Sequence, residues 1–427
     1  MEASKVQYKK VTFTAKAKQS SGREMEYIFY INGEEKARKR TRKISYSYEQ
    51  ETSFNESVTG YVEVRYEQDK ISHSNEQTVY DYTITTAEEI KKFRDKVNEG
   101  TNYKEKTIEL QENIDLLGAT NNQWTPIGNA SRSFEGTFEG NNHTVENLYI
   151  DTRGKQHQAL FGVNNGTIQN LEVIGYVQGN EGGIALACGR NNGIIKNIKT
   201  NGSVGGWNGV GGCIGDNRGT VEFCINQAKV YPLGTTGYYG RSIGGIAGYA
   251  KGKIENCINT GEISGNHGTG GIIGEGNTAE INYCTNQGNV IGLSSETKYN
   301  SIYIGGIAGA LAYDTKCSIT NCKNSGEVKS SYGGSVCGGI SGYISGNNSG
   351  HAIIENCFNL GNLSGSTIAG IVAKEGYSSS AIGIRELRNN YYLDTCGATY
   401  GRPGNNNNAE PKTREEIDAL IKEFSSN

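Results

Sequence analysis

Proline is nearly missing from this chain, with 4 in 427 residues. Glycine is abundant, at 60, but it follows no G-X-Y period and has no proline partner, which excludes a collagen triple helix. No apolar run approaches the roughly 18 residues a membrane-spanning helix needs, so membrane insertion is not expected. An excess of one charge is also lacking: the formal net charge is -3. That leaves no field to select nucleic acid or a lipid surface as partner. Hydrophobic content is only 35%, which suits small cores repeated along an axis better than one large core. Met1 to Lys10 is polar, without a signal-peptide core, and no wall-anchor tail is visible. A secreted protein of this sequence is therefore expected to have lost its leader or to be a fragment.

Metal-binding cysteine patterns are lacking too. Ten cysteines lie between Cys188 and Cys396, none in a C-x-x-C pair, with only 5 histidines in the chain. A zinc ribbon is excluded, and no metal or cofactor is expected.

What is present falls into regions. Residues 1–84 alternate as strands do, most clearly in Val11 to Ala15, Tyr27 to Ile31 and Tyr61 to Tyr66, with a turn signal at Asn32-Gly33. Four to seven short strands there predict an immunoglobulin-like β-sandwich. A basic run, Lys36, Arg38, Lys39, Arg40, Arg42 and Lys43, reads first as a solvated edge strand and second as an anion patch. Residues 85–144 read as an N-terminal cap. It opens on a helix started by a Thr86–Glu89 capping box, with Ile90, Phe93 and Val97 on one face. Residues 401–427 read as a linker and a capping helix opened by Thr413 and Glu416.

Residues 145–400 repeat. The phrase I-x-N-C recurs at Ile254, Ile319 and Ile354, with looser copies at Val145, Ile168, Ile195, Val221, Ile281 and Leu387. Four residues after the Cys slot stands a glycine, and two further on an aliphatic residue; a glycine-aliphatic pair such as Gly245-Ile246 or Gly271-Ile272 precedes each phrase. The period runs from 23 to 38 residues, with the variation confined to connections, as in a solenoid. Short strands bounded by glycine give an all-β chain: a right-handed, three-sided parallel β-helix with helical end caps. The glycine after the Cys slot is expected to supply a turn dihedral. Asn226, Asn259, Asn286, Asn324 and Asn359 share a slot and are expected to form an amide ladder. The Cys slot also accepts Leu171 and Ile198, so its cysteines are expected to be buried, free packing residues.

The sequence resembles the GLUG-motif proteins. The residues that carry the likeness are Trp124-Thr125-Pro126-Ile127-Gly128, Phe134 to Asn141, Leu160-Phe161-Gly162, the later Gly-Ile-Ala-Gly copies and Tyr391 to Asp394, within roughly 85–425. The resemblance implies a β-helix on a bacterial surface or secreted from it, of a kind also found beside immunoglobulin A proteases. It assigns no catalytic residues.

For an enzyme, carboxylates should share a slot on neighbouring coils. Asp151, Asp216, Asp314 and Asp394 do not share one with each other, and the histidines are scattered. A non-catalytic, adhesin-like protein is therefore expected, a monomer whose partner is a glycan or a host or bacterial surface protein. A spacer and a polysaccharide-active enzyme are the alternatives. The expected contact row is Trp207, Tyr238, Tyr239, Tyr299 and Tyr332, which lie with Tyr231, His267 and Tyr303 in loops at one point of successive repeats. The competing reading is that these rings fold back and shield the corner.

Overall fold

The computed structural model describes residues 1–4, 6–17, 23–66, 70–234, 240–293, 302–311, 316–346, 352–377, 384–403 and 406–426. The chain divides into two compact units, one of residues 1–93 with 106–112, the other of 94–105 with 113–427.

The first unit is a β-sandwich. A three-stranded antiparallel sheet orders Glu2–Ala3, Lys10–Lys16 and Ser45–Glu51; a five-stranded one contains Glu34–Thr41, Met25–Ile31, Ser57–Tyr66, Lys70–His73 and Gln77–Tyr80. That is eight strands among the described residues, one more than the sequence suggested. Alternation works as it should: Val11, Phe13 and Ala15 face inward from one sheet, and Tyr27, Phe29 and Ile31 from the other, in one cluster with Val58 and Val62. The basic run lies on Glu34–Thr41, an edge strand. Among the described residues three of its six charges are matched, Arg38 by Glu26 and Glu35, Arg40 by Glu26, and Lys36 by Glu34, and the edge position favours the solvated-edge reading.

The second unit is a parallel β-helix. Every coil pairs in parallel with the next, and the phrase stacks as expected: Ile168 on Ile195, then Val221, Ile254, Ile281, Ile319, Ile354 and Leu387. The aliphatic slot stacks likewise, from Val177 through Val204, Val230, Ile263, Val290 and Val328 to Leu363, all buried. One part of each coil forms a separate eight-stranded sheet, which includes Cys188–Asn191, Ile214–Asn217, Ala247–Ala250 and Ile273–Gly276.

Two early copies are out of register. Ile168 pairs with Phe138, while Val145 pairs with Val173 and Leu148 with Gly175. Asn141 and Asn142, both left-handed, divert the chain in between. Similarly, Ile184 pairs with Val210, and it is the Leu186 N–H that donates to Gly212 O.

The turn dihedral is also supplied differently. The asparagine inside the phrase is the left-handed residue: Asn170, Asn197, Asn256, Asn321, Asn356 and Asn389 have φ between 52 and 55°, a conformation asparagine tolerates. Of the glycines after the Cys slot Gly202 has a positive φ, 117°, while the others are needed for close approach. A Cβ on Gly261, Gly288 or Gly326 would lie 2.0 Å from a carbonyl oxygen of the coil below.

All ten cysteines are free and buried. The asparagine ladder forms completely. Each Nδ2 donates to the next Oδ1 at 2.8 Å, from Asn226 through Asn259, Asn286 and Asn324 to Asn359. The other Nδ2 hydrogen goes to the carbonyl two residues on, as from Asn226 to Ala228 O. Thr200 precedes the ladder and Tyr392 occupies its slot afterwards. A second ladder, Asn164, Asn191 and Asn217, serves the first coils.

Helix α1 (Ala87–Glu99) buries Ile90, Phe93 and Val97. Its capping is shifted by one residue, since Glu89 accepts from the N–H and hydroxyl of Thr85 while Thr86 Oγ1 accepts from the Glu89 N–H. Helix α2 (Arg414–Ser426) has the full Thr413–Glu416 box, and its Phe424 packs edge-on against Phe358 of the last coils.

Candidate functional site: an axial cleft

The expected aromatic row is resolved only in part. Tyr238, Tyr239 and Tyr299 lie outside the described residues. Trp207 and Tyr332 are half-buried. Tyr231 does fold back: its ring lies over Gly205, and its hydroxyl meets Gln178 Nε2 at 2.6 Å. Tyr303 stacks on Tyr343 at 4.3 Å and meets His267 edge-on at 4.9 Å.

Tyr343 points to a different row. In the phrase that follows each glycine-aliphatic pair, a glycine sits where the eight-stranded sheet comes closest to its neighbour. A Cβ on Gly248 would lie 2.3 Å from Val210 N, and one on Gly274 2.2 Å from Ile243 N. The next residue must point outward, beside the seam. In register order this slot holds Val163, Arg190, Asp216, Tyr249, Glu275, Ala310, Tyr343 and Lys374. Across the seam, Asn208, Arg241 and His267 form a second row, also in register. The backbone just beyond them is left-handed at Gly209, Ser242 and Gly268, which brings that strand in against the seam.

The two rows interact. Asp216 Oδ2 accepts from Arg190 Nε at 2.9 Å and from Arg218 Nε at 3.0 Å. Glu275 Oε1 lies 3.4 Å from His267 Nδ1 and 3.8 Å from Arg241 Nη2. Lys374 Nζ stands over Tyr303 and Tyr343. Between the rows is a hollow of 330 Å³ lined by His157, Arg190, Asp216, Arg241, Tyr249 and Glu275, among others. It shares Gln156 and His157 with a larger one of 710 Å³, whose lining includes Asn121, Gln123, Trp124, Pro126, Lys155 and Gln158. The Trp124 corner is fixed from behind: the indole donates to Leu160 O, Arg94 covers its ring, and Asn98 bonds Pro126 O and Gly128 N.

At the junction sits His157, 8% exposed, with no hydrogen-bond partner for its buried Nδ1 among the described residues. Burial, aided by the Arg190 charge and opposed by Asp216, pushes its pKa down to about 4, so the ring is neutral at pH 7. Asp216 Oδ1 is also buried without a partner among the described residues. Among the described residues no cluster of His, Cys, Asp or Glu could hold a metal ion, and no helix is long and apolar enough to cross a membrane.

Sequence reasoning missed this row because the aspartates were compared only with each other. Asp216 does share a slot with a carboxylate, but that carboxylate is Glu275. The available signal was one position, directly after a recurring glycine, that changes from Arg to Asp to Tyr to Glu.

Residues 300–329 match the family model described as the GLUG motif. The chain carries this motif. The GLUG segment is one full coil: it holds the Gly306-Ile307 pair, the outward position Ala310, the phrase Ile319 to Cys322 and the ladder residue Asn324. Halomucin from Haloquadratum walsbyi is 32% identical over 116 residues, 25% of this chain and 1% of that protein; the chain thus spans a small fraction of that relative. Among solved structures, a candidate immunoglobulin A1 protease from Bacteroides ovatus superposes with a TM-score of 0.41 at 21% identity, over 80% of this chain and 87% of that one. An IgA1 protease superposes with a TM-score of 0.41 at 13% identity, over 89% and 29% respectively.

Proposed function

We propose that this chain is a non-catalytic, adhesin-like module of a secreted or surface-held bacterial protein, binding a glycan or a protein along the axial cleft. One observation carries the reading. The outward slot beside the seam runs through Arg190, Asp216, Tyr249, Glu275, Ala310, Tyr343 and Lys374, and Arg190, Asp216, Tyr249 and Glu275 line a hollow shared with Arg241 of the facing row. A concave site with convergent polar and aromatic side chains suits recognition. The GLUG motif supports the extracellular setting, and the two antiparallel sheets of the first unit support an immunoglobulin-like assignment for it.

A second reading, a polysaccharide-active enzyme, is favoured by Asp216 and Glu275, which face the cleft two coils and hence about 10 Å apart. Against it, Asp216 is shared by two guanidinium groups and Glu275 adjoins Arg241 and His267. A general acid must instead hold a proton. The test is to screen the purified chain on arrays of glycans and host surface proteins, and to analyse the same glycans for products. Retention of a ligand without new reducing ends or unsaturated sugars is expected. Turnover abolished by Asp216→Asn or Glu275→Gln would make it an enzyme, and no retention at all would leave a spacer.

A further inference from the structure

We infer that the cleft takes an uncharged, hydroxyl-rich oligosaccharide, seated between Arg190, Asp216, Glu275 and His157 and continuing into the hollow beside Trp124. The inference rests on the proposed binding role and names the ligand class for it.

The first argument is the inventory of unfilled polar groups. Asp216 is 8% exposed, and its Oδ1 is an acceptor with no donor among the described residues. His157 is equally buried, and its Nδ1 has no hydrogen-bond partner among the described residues. Among the described residues Arg190 bonds Asp216 through Nε, and the two terminal nitrogens of its fork are there for a ligand. A site with unmatched acceptors and a donor fork side by side suits neighbouring hydroxyls, each of which both donates and accepts. A buried acceptor costs free energy until a donor reaches it, so the free cleft is poised for such a group.

The second argument is charge. Two guanidinium groups, Arg190 and Arg241, and two carboxylates, Asp216 and Glu275, line the smaller hollow and cancel. An acidic sugar placed there would find no net attraction, its pull toward the two guanidinium groups being offset by the two carboxylates. In the larger hollow Lys155 is the one charged lining residue beside neutral His157; the others are mainly amides and hydroxyls with Trp124 and Pro126, donors and acceptors of the kind that read sugar hydroxyls. The third argument is shape. The hollows share Gln156 and His157, so they form one trough along the axis, and extended sugar chains advance by close to one coil spacing per ring.

The experiment is isothermal titration calorimetry of the whole chain with neutral hexasaccharides (glucan, mannan, xylan and galactan fragments) and with matched oligouronates. The variants are Arg190→Ala and Glu275→Gln, each checked for an unchanged melting temperature. Expected are binding of at least one neutral series, a loss of about tenfold or more in each variant, and weaker binding of every uronate. Tighter binding of uronates, or neutral binding that both variants leave intact, overturns the inference. If only a protein ligand from the array engages the cleft, the inference falls while the binding role stands. If nothing binds, both fall.

Discussion

Asparagine does two jobs in this chain, and the difference lies in burial. Asn197 is exposed and left-handed, its Nδ2 donating to Asn170 Oδ1 at 2.8 Å and, more weakly, to Asn142 Oδ1 at 3.5 Å. Asn286 is fully buried and sits mid-ladder. Replacing Asn286 by Ala strands Asn259 Nδ2 and Asn324 Oδ1 at about 1–3 kcal/mol each, so a loss of roughly 3–5 kcal/mol is expected in denaturant titration. Asn197→Ala should cost only about 1–2 kcal/mol, chiefly for the left-handed backbone. Equal losses would mean that the ladder amides are dispensable. His157 gives a pH test at the same scale. Its folded pKa of about 4 lies below the ordinary 6.5. Above pH 6.5 both states hold the ring neutral, so it adds no pH dependence. As pH falls from about 6.5 to about 4, the unfolded chain takes up a proton that the folded one refuses, and stability declines over that window. NMR titration of the imidazole should find its midpoint near pH 4, and a midpoint near 6.5 would place the ring in solvent.

At the scale of elements, most of the fold was legible in the sequence because the stack repeats each local choice. Aliphatic, Cys and Asn slots each recur seven, five and five times, and a slot that must pack against its own copy shows its chemistry plainly. The misreadings came where the repeat gave no copy to compare. Val145 and Gly183-Ile184 resemble the phrase locally, but the diversions at Asn141-Asn142 and between Gly179 and Gly182 shift their partners. The cleft row was hidden for the opposite reason: a slot whose residues vary has no pattern to match. The cysteines test the element as a whole. Burial pushes the Cys188 and Cys213 thiols up and holds Cys337 at about 12, so the thiolate that reacts is scarce. With a thiol reagent at pH 8, fewer than one equivalent should react per chain before denaturation and ten after it. Early reaction of Cys257 or Cys284 would mean that the coils part under native conditions.

For the whole molecule, stability is a sum over coils and the interfaces between them. Ile272 and Ile307 are stacked and fully buried, so Ile272→Asp puts an unpaired charge between coils. It should abolish the main calorimetric transition of the β-helix rather than lower it by a degree or two. A near-normal transition would show that the stack tolerates an opened coil.

The amide ladders also have a direction. In both, every carboxamide of an earlier coil gives its hydrogen to the oxygen of the coil that follows, 26 to 38 residues further along the chain. A completed coil therefore presents a ready donor to chain that has not yet folded, and the newcomer needs only to bring an oxygen. The polarity matches the order in which a ribosome or a secretion pore delivers the residues, from Asn164 toward Asn359. Folding in chain order, each coil templating its successor, is the expected consequence, and Tyr392 ends the series by filling the slot with a ring instead of another amide.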